Sequence, residues 1–316
     1  MAKVLVTGGA GFIGSHLVEE LIRRGDQVRV LDDFSSGNRD NISQWRNEIE
    51  LVEGDVRDAQ ACERAMAGIE IVFHEAAVAS VPRSVSDPWM TNAVNLDGTL
   101  RLLISARDAG VRRFLFASSS AIYGDAPELP KTEDHMPKPI SPYALHKLAS
   151  EHYLQLFKNL YGLETVSFRY FNVFGPRQDP KSEYAAVIPK FITRMLAGKA
   201  PIIYGDGLQT RDFIFVKDVV AANIMASHES AAPGHVFNLA RGNSITLREL
   251  VAMLNEVIET SFVPEFAPPA AGDVRDSQAS VDLARKLLKF EPKVSMTDGL
   301  RQTVEWYRKC EARSKA

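Results

Sequence analysis

The sequence predicts an α/β protein: a doubly wound parallel sheet followed by a smaller C-terminal lobe. Three observations predict it. Short β-rich runs alternate with helical patterns through the first half of the chain, the helical patterns keep their apolar residues on one face, and the alternation breaks after residue 171 into Pro-, Gly- and charge-rich stretches. With 316 residues, 45% of them hydrophobic and 24% charged, the chain is long enough for two domains or for one large domain with an elaborated lobe.

The strands read in order as Lys3–Thr7, Gln27–Asp32, 49–55, 69–74, 113–118 and 165–171. Between the first two, residues 12–24 carry Ile13, Leu17, Leu21 and Ile22 along one helical face, and residues 89–109 carry Ala93, Leu96, Leu100 and Leu103 in the same way. Such helices cover a sheet, and right-handed crossovers then leave the ligand crevice among the loops at the carboxyl ends of the strands. Residues 121–142 are rich in Pro and acidic side chains, 143–161 are helical, and the last helix, 297–310, presents Leu300, Val304 and Tyr307 for packing against the body. The expected division is a first domain over 1–171, to which the chain returns near 212–240, and a second lobe made mainly of 172–316.

Composition excludes several functions. No stretch approaches the ~18 consecutive apolar residues of a membrane span, and the start of the chain lacks the long apolar run of a secretory leader, so the reading is a soluble cytoplasmic protein without a membrane partner. A net charge of −3 with scattered basic residues offers nothing general to nucleic acid. Cys62 and Cys310 stand far apart without neighbouring Cys or His at ligand spacing, which predicts neither a disulfide nor a metal site.

The first strand runs into Thr7-Gly8-Gly9-Ala10-Gly11-Phe12-Ile13-Gly14 at the start of a helix. In such a turn Gly8 permits the tight backbone path, Gly11 lets N–H groups approach a pyrophosphate, and Gly14 allows helix and strand to pack closely, with Phe12 and Ile13 between them. Asp32 ends the second strand, where a carboxylate accepts from an adenosine ribose and repels a 2′-phosphate; this predicts NAD over NADP. Asp33 is the alternative partner, and a turn cap the alternative role of Asp32. Asp55 and Val56 end the third strand and are placed to border the adenine, unless Asp55 is only a turn residue. His74 reads as a structural histidine, and Ala76 and Ala77 after it leave room for the cofactor backbone.

Ser141-Pro142-Tyr143-Ala144-Leu145-His146-Lys147 opens the helix after the acidic loop, so Tyr143 and Lys147, at i and i+4, share a face, while His146 points elsewhere and reads as a surface residue. A phenol becomes a base near neutrality only if its pKa of about 10 falls by roughly 3 units, on the order of 4 kcal/mol. The expectation is that the Lys147 ammonium and a positively charged nicotinamide supply this. Upstream, the fifth strand ends in Ser118-Ser119-Ser120, whose hydroxyls stand beside the crevice.

Together these residues make the chain similar to the extended short-chain dehydrogenase/reductases, with a Rossmann fold, and within them to the UDP-hexose 4-epimerases. The matching words are TGGAGFIG (7–14), GDVRD (54–58), HEAA (74–77), NLDGT (95–99), SSSAIYG (118–124), SPYALHK (141–147), RYFNVFGPRQ (169–178) and RDFIFVKDV (211–219), spread over nearly the whole chain. The resemblance implies that Tyr143 takes the proton of a sugar 4-hydroxyl while hydride passes to NAD, and that the 4-keto sugar rotates before hydride returns to its other face. It further implies that Ser119 or Ser120 holds the reacting hydroxyl, that Asn95, Ser118 and Phe171 line the cofactor, and that Asn172 meets the pyrophosphate, Tyr204 the uracil and Arg211 a phosphate. A homodimer built on the helices of 89–109 and 143–161 is also implied.

Two departures matter. Where the family often has a second phosphate-binding Arg, this chain has Ala270 and Ala271 before Gly272-Asp273, so either Arg275 substitutes or the contact is missing. At Ser277, enzymes that reject N-acetyl sugars look to carry a bulky Tyr, so a small residue favours UDP-N-acetylglucosamine/UDP-N-acetylgalactosamine, with UDP-glucose/UDP-galactose as well; otherwise Ser277 is a plain loop residue. Nucleotide-sugar dehydratases look to carry Asp-Glu where this chain has Ser120-Ala121, which argues against dehydration. A UDP-glucuronate 4-epimerase or decarboxylase, and a non-catalytic dinucleotide-binding protein, are the competing readings.

Overall fold

The computed structural model describes residues 1–180, 186–269 and 274–315. Strands β1 (Lys3–Thr7), β2 (Gln27–Asp32), β3 (Ile49–Glu53), β4 (Ile71–His74), β5 (Arg113–Ser119) and β6 (Glu164–Tyr170) alternate with helices α1 (Phe12–Arg23), α2 (Ala59–Met66), α3 (Val81–Ser86), α4 (Pro88–Asn92), α5 (Gly98–Asp108) and α6 (Pro142–Tyr161). The third strand stops at Glu53 rather than at Asp55 because the Asp55 carboxylate accepts the Arg57 amide at 2.7 Å and turns the chain there.

One expected helix is not continuous. Over 89–109 the chain forms α4, then a π-helical turn at Ala93–Asp97, then α5. The cause is Asn95: its amide clamps Val78, accepting from the amide nitrogen at 2.8 Å and donating to the carbonyl at 3.1 Å, while its own carbonyl takes the Thr99 hydroxyl at 2.7 Å. A wide turn of this kind is common where a helix is bent to serve a site.

After β6 come β7 (Val173–Phe174), α7 (Val187–Leu196), β8 (Ile202–Tyr204), β9 (Thr210–Asp212), β10 (Ile214–Phe215) and α8 (Val216–His228). The chain then returns to the sheet as β11 (Val236–Leu239), and finishes with β12 (Ser244–Thr246), α9 (Leu247–Ile258), β13 (Glu265–Ala267), α10 (Asp282–Leu288) and α11 (Met296–Lys315). The main sheet has seven parallel strands in the order β11-β6-β5-β4-β1-β2-β3. The direction of winding reverses between β1 and β4, and the crevice of a doubly wound sheet opens at that point.

Alternate residues feed the two faces. Val4, Val6, Leu115 and Phe168 pack with Leu17 and Val18 of α1 and Val219 and Ala222 of α8, whereas Leu5, Val72, Phe114 and Phe116 pack with Ala61 of α2, Leu102 of α5 and Leu154 of α6. A third cluster builds the second lobe from α7, α9 and α11, and buries Leu300, Val304 and Tyr307. Among the described residues no helix is long and apolar enough to cross a membrane.

Candidate active site

The glycine turn is shaped by what cannot fit in it. Gly8 has φ +66, and a Cβ there would stand 2.8 Å from the Ala76 backbone; at Gly14 it would fall 2.1 Å from the Gly8 carbonyl oxygen. A Cβ on Gly11 would meet only the Gly8 oxygen, at 3.0 Å, so its outer side is open. Gly11 is also the N-cap of α1, without a side-chain cap, which leaves the first helical N–H groups for an anion. This cradle fits a dinucleotide. Phe12 and Ile13, at the same helix end, pack on the second-lobe cluster.

Asp32 is buried and accepts from the amides of Ala10 and Phe34, both at 2.8 Å, so its carboxylate braces the glycine turn; burial lifts its pKa. Asp33 is exposed and takes the Ser35 amide and hydroxyl. Asp55 is chelated by Arg57, which lowers its pKa, and Val56 packs tightly on Gly98. His74 has both ring nitrogens occupied, by Thr7 Oγ1 at 2.7 Å and Thr99 Oγ1 at 2.9 Å, and burial pushes it down to about 3, as befits a structural histidine. The Ala76 backbone lies beside Gly8, and Ala77 follows it in the chain.

At the far side of the crevice, helix α6 starts with Ser141 capping the Ala144 amide, and the Tyr143 amide donates to Ser84 Oγ at 3.0 Å. Tyr143 and Lys147 project from one face. The Tyr143 phenol has the hydroxyl of Ser119, the last residue of β5, as its polar neighbour; Ser120 starts a 3-10 turn, and Ser118 faces the other way, donating to Glu151 Oε1 at 2.5 Å. The Lys147 Nζ donates to the Ala117 carbonyl at 2.6 Å and lies 4.7 Å above the Phe116 ring centroid and 5.9 Å from that of Tyr143. Burial draws Lys147 down to about 8, with Glu75 and Glu151 opposing.

The expected acidification of Tyr143 by Lys147 is not a property of the polypeptide alone. Burial raises the phenol above its ordinary pKa, the neighbouring Ser119 hydroxyl works the other way, and Glu75 raises it further. The ammonium is committed to a carbonyl, and a buried phenolate has lost its water. His146 is also not on the surface: it is buried, and that burial lowers its pKa against the pull of Asp97 in the π-helical turn.

Beneath this face lies a polar network that local spacing does not reveal. Glu151, one turn beyond Lys147, forms a two-pronged pair with Arg169 of β6 at 2.8 and 3.1 Å, both side chains buried. Arg169 also donates to the Tyr123 hydroxyl at 2.9 Å, which donates to Asn238 of β11 at 2.7 Å. Glu151 at i+8 from Tyr143 was the one visible sign that this helix face continues as a polar stripe. Phe171, packed on Tyr123, Ala240 and Val281, closes the network on the second-lobe side.

The remaining residues gather in the second lobe. Tyr204, half exposed, and Arg275 line one cleft of about 420 Å³ with Gln209, Ala267 and Asp206. Arg275 is paired with Asp206 through one terminal nitrogen at 3.0 Å. Arg211 on β9 donates to the carbonyls of Thr210 and Arg275, and Asn172 donates to the Asp212 carbonyl at 3.2 Å. Ser277 is half-buried, between Asp276, which accepts from Thr210, and Gln278. Ala270, Ala271, Gly272 and Asp273 lie outside the described residues.

Comparisons with known proteins agree with this geometry. The profile of the NAD dependent epimerase/dehydratase family matches residues 4–240. A UDP-glucose 4-epimerase of Mycolicibacterium smegmatis is 42% identical, over 97% of this chain and 98% of its own. The UDP-N-acetylglucosamine 4-epimerase of Methanobrevibacter ruminantium, solved with UDP-N-acetylmuramic acid, superposes with a TM-score of 0.94 at 40% identity over 98% of this chain and 99% of its own. The UDP-glucose 4-epimerase of Thermotoga maritima, solved with UDP-glucose, also gives 0.94, at 41% identity over 98% and 99% of the two chains. On glycine cradle, sheet order and family profile alike, the chain belongs to the NAD dependent epimerase/dehydratase family.

Proposed function

We propose that this protein interconverts the 4-epimers of a UDP-sugar, UDP-N-acetylglucosamine and UDP-N-acetylgalactosamine first and UDP-glucose and UDP-galactose as well. The observation that carries the reading is the Tyr143 phenol beside Ser119 with Lys147 on the same helix face, across the crevice from the glycine cradle. NAD, when bound, supplies a hydride acceptor and donor and, in its oxidised form, a positive charge. Tyr143 takes the proton of the sugar 4-hydroxyl and later returns one; Ser119 holds the reacting oxygen; Lys147 stays a cation within reach of both. Because burial keeps the phenol protonated in the polypeptide alone, Tyr143 becomes a base only in the loaded site. Ala121 has no proton to exchange, which favours epimerisation over dehydration.

The assay is incubation of the purified protein with UDP-N-acetylglucosamine, UDP-glucose and UDP-glucuronate, followed by separation of products. Conversion of the first two supports the reading, and conversion of UDP-glucuronate alone replaces it with the uronate branch. Ser277→Tyr is expected to lower kcat/KM for the N-acetyl substrate by on the order of 100-fold while sparing UDP-glucose. An equal loss on both sugars would remove Ser277 as the size gate.

We also propose a homodimer. Leu145, Leu156 and Leu160 form an exposed stripe on α6, and Ile104 on α5 and Trp89 on α4 are exposed near it; Trp89 is 86% exposed. Leu156→Glu is expected to halve the mass measured by light scattering. A wild-type protein that already elutes as a monomer contradicts the dimer.

A further inference from the structure

The fifth strand runs out through three identical side chains, Ser118, Ser119 and Ser120, and Ser119 is the one that stands beside the Tyr143 phenol. The fold has to select it. Strand β4 accompanies β5 only as far as the pair His74 and Phe116, whereas β6 follows it to the pair Ser119 and Tyr170, so Ala117, Ser118 and Ser119 have a neighbouring strand on one side only. Strand ends supported in this way open most readily, and a slip of one residue carries every side chain to the opposite face.

The polar network beneath α6 supplies the missing support. Ser118 Oγ donates to Glu151 Oε1 at 2.5 Å, and both residues are buried. Glu151 is itself held in place: Oε1 also accepts from Arg169 Nε at 3.1 Å, and Oε2 accepts from the same guanidinium at 2.8 Å. Arg169 lies opposite Ser118 in the register of β5 and β6 and is braced in turn by the Tyr123 hydroxyl at 2.9 Å and the Glu133 carbonyl at 3.2 Å. Ser118 thus sits, with its side chain committed, between two residues of the site. The Ala117 carbonyl before it takes the Lys147 Nζ at 2.6 Å. Ser119 after it is turned by the pleat to the other face, where its oxygen accepts the Ala121 amide at 3.2 Å, which leaves the hydroxyl proton for a different acceptor.

We propose that Ser118 and Glu151 are positioning residues of this site: their buried hydrogen bond fixes the end of β5 against α6 and so presents Ser119, rather than either neighbouring serine, to Tyr143. The assignment deepens the epimerase reading and rests on it for its consequence in catalysis. The Ser118 hydroxyl, spent on Glu151, touches no reacting atom and acts only through the residue that follows it.

The test is a double-variant cycle read in kcat. Ser118→Ala is expected to lower kcat about 10-fold with KM within about twofold of wild type, and Ser119→Ala to lower kcat further. Ser118→Ala added to Ser119→Ala should then cost nothing more, since no hydroxyl is left to present, whereas a general loosening of the fold lowers kcat by the same factor in both backgrounds. An unchanged kcat in Ser118→Ala, or an equal loss in both backgrounds, overturns the proposal. If Ser118→Ala does not fold, Glu151→Gln, which weakens the acceptor and keeps its shape, goes through the same cycle under the same criteria. A second readout needs no turnover. In protein labelled with ¹³C at tyrosine Cζ, the Tyr143 resonance, identified by its loss in Tyr143→Phe, should move in Ser118→Ala towards its position in Ser119→Ala, and a resonance that stays put overturns the proposal as well. Should the wild-type protein turn over no UDP-sugar while the resonance moves as stated, the epimerase reading fails and the positioning assignment survives it.

Discussion

Tyr143→Phe is expected to lower kcat by about 10³-fold or more while leaving NAD bound. The magnitude is that of removing a positioned acid–base group, about 10² to 10⁴, and the upper part of the range applies because the same oxygen must take a proton in one half of the reaction and return it in the other. Folding should not suffer. The contact that ties Tyr143 to Ser84 runs through its backbone amide, and the ring keeps its place near Lys147. The glycine cradle and Asp32 belong to the opposite side of the crevice and are untouched. Turnover is measured by product separation and NAD by its absorbance in the denatured supernatant. Retention of more than about a tenth of the wild-type rate would be incompatible with the role given to this phenol.

The second large effect concerns stability. Glu151→Leu is expected to destabilise the protein by about 3–5 kcal/mol, because it leaves the Arg169 guanidinium buried without its anion. The loss should appear as a lower urea midpoint at unchanged slope. Arg169→Met strands the carboxylate instead and should cost a similar amount. The double variant should be more stable than the sum of the two predicts, since neither charge is then left alone. A cost below about 1 kcal/mol in both single variants would mean that water reaches the pair and that the network is not a dry one.

Several features of the molecule are written in local spacing. Lys3–Thr7 and Gln27–Asp32 occur as strands with the bounds that their β-rich runs indicate, and Tyr143 and Lys147 share a helix face because four residues make about one turn. The glycine cradle is equally local: three glycines within one turn, each positioned by contacts with the same short loop or with the neighbouring strand end. Other features did not follow from spacing. The helix expected over 89–109 is split because Asn95 prefers the backbone of Val78, seventeen residues away, to its own helix. His146 was expected on the surface, and it is buried, with Asp97 of the same bent segment pulling on its charge. The choice between Ser119 and Ser120 as the partner of Tyr143 depends on where β5 ends, a matter of one residue.

What the sequence alone determined is therefore the doubly wound fold, the dinucleotide turn and the Tyr-Lys face, since periodicity, glycine steric room and i, i+4 geometry act between residues a few positions apart. Only the tertiary structure decided which charges are buried and with whom. Glu75 meets Tyr170 across 95 positions, Arg169 meets Glu151 from a neighbouring strand, and Lys147 finds Ala117 thirty residues upstream. The protonation of this site is set by those long-range partners and by loss of water, because desolvation depends on everything packed around a group and not on its neighbours in the chain.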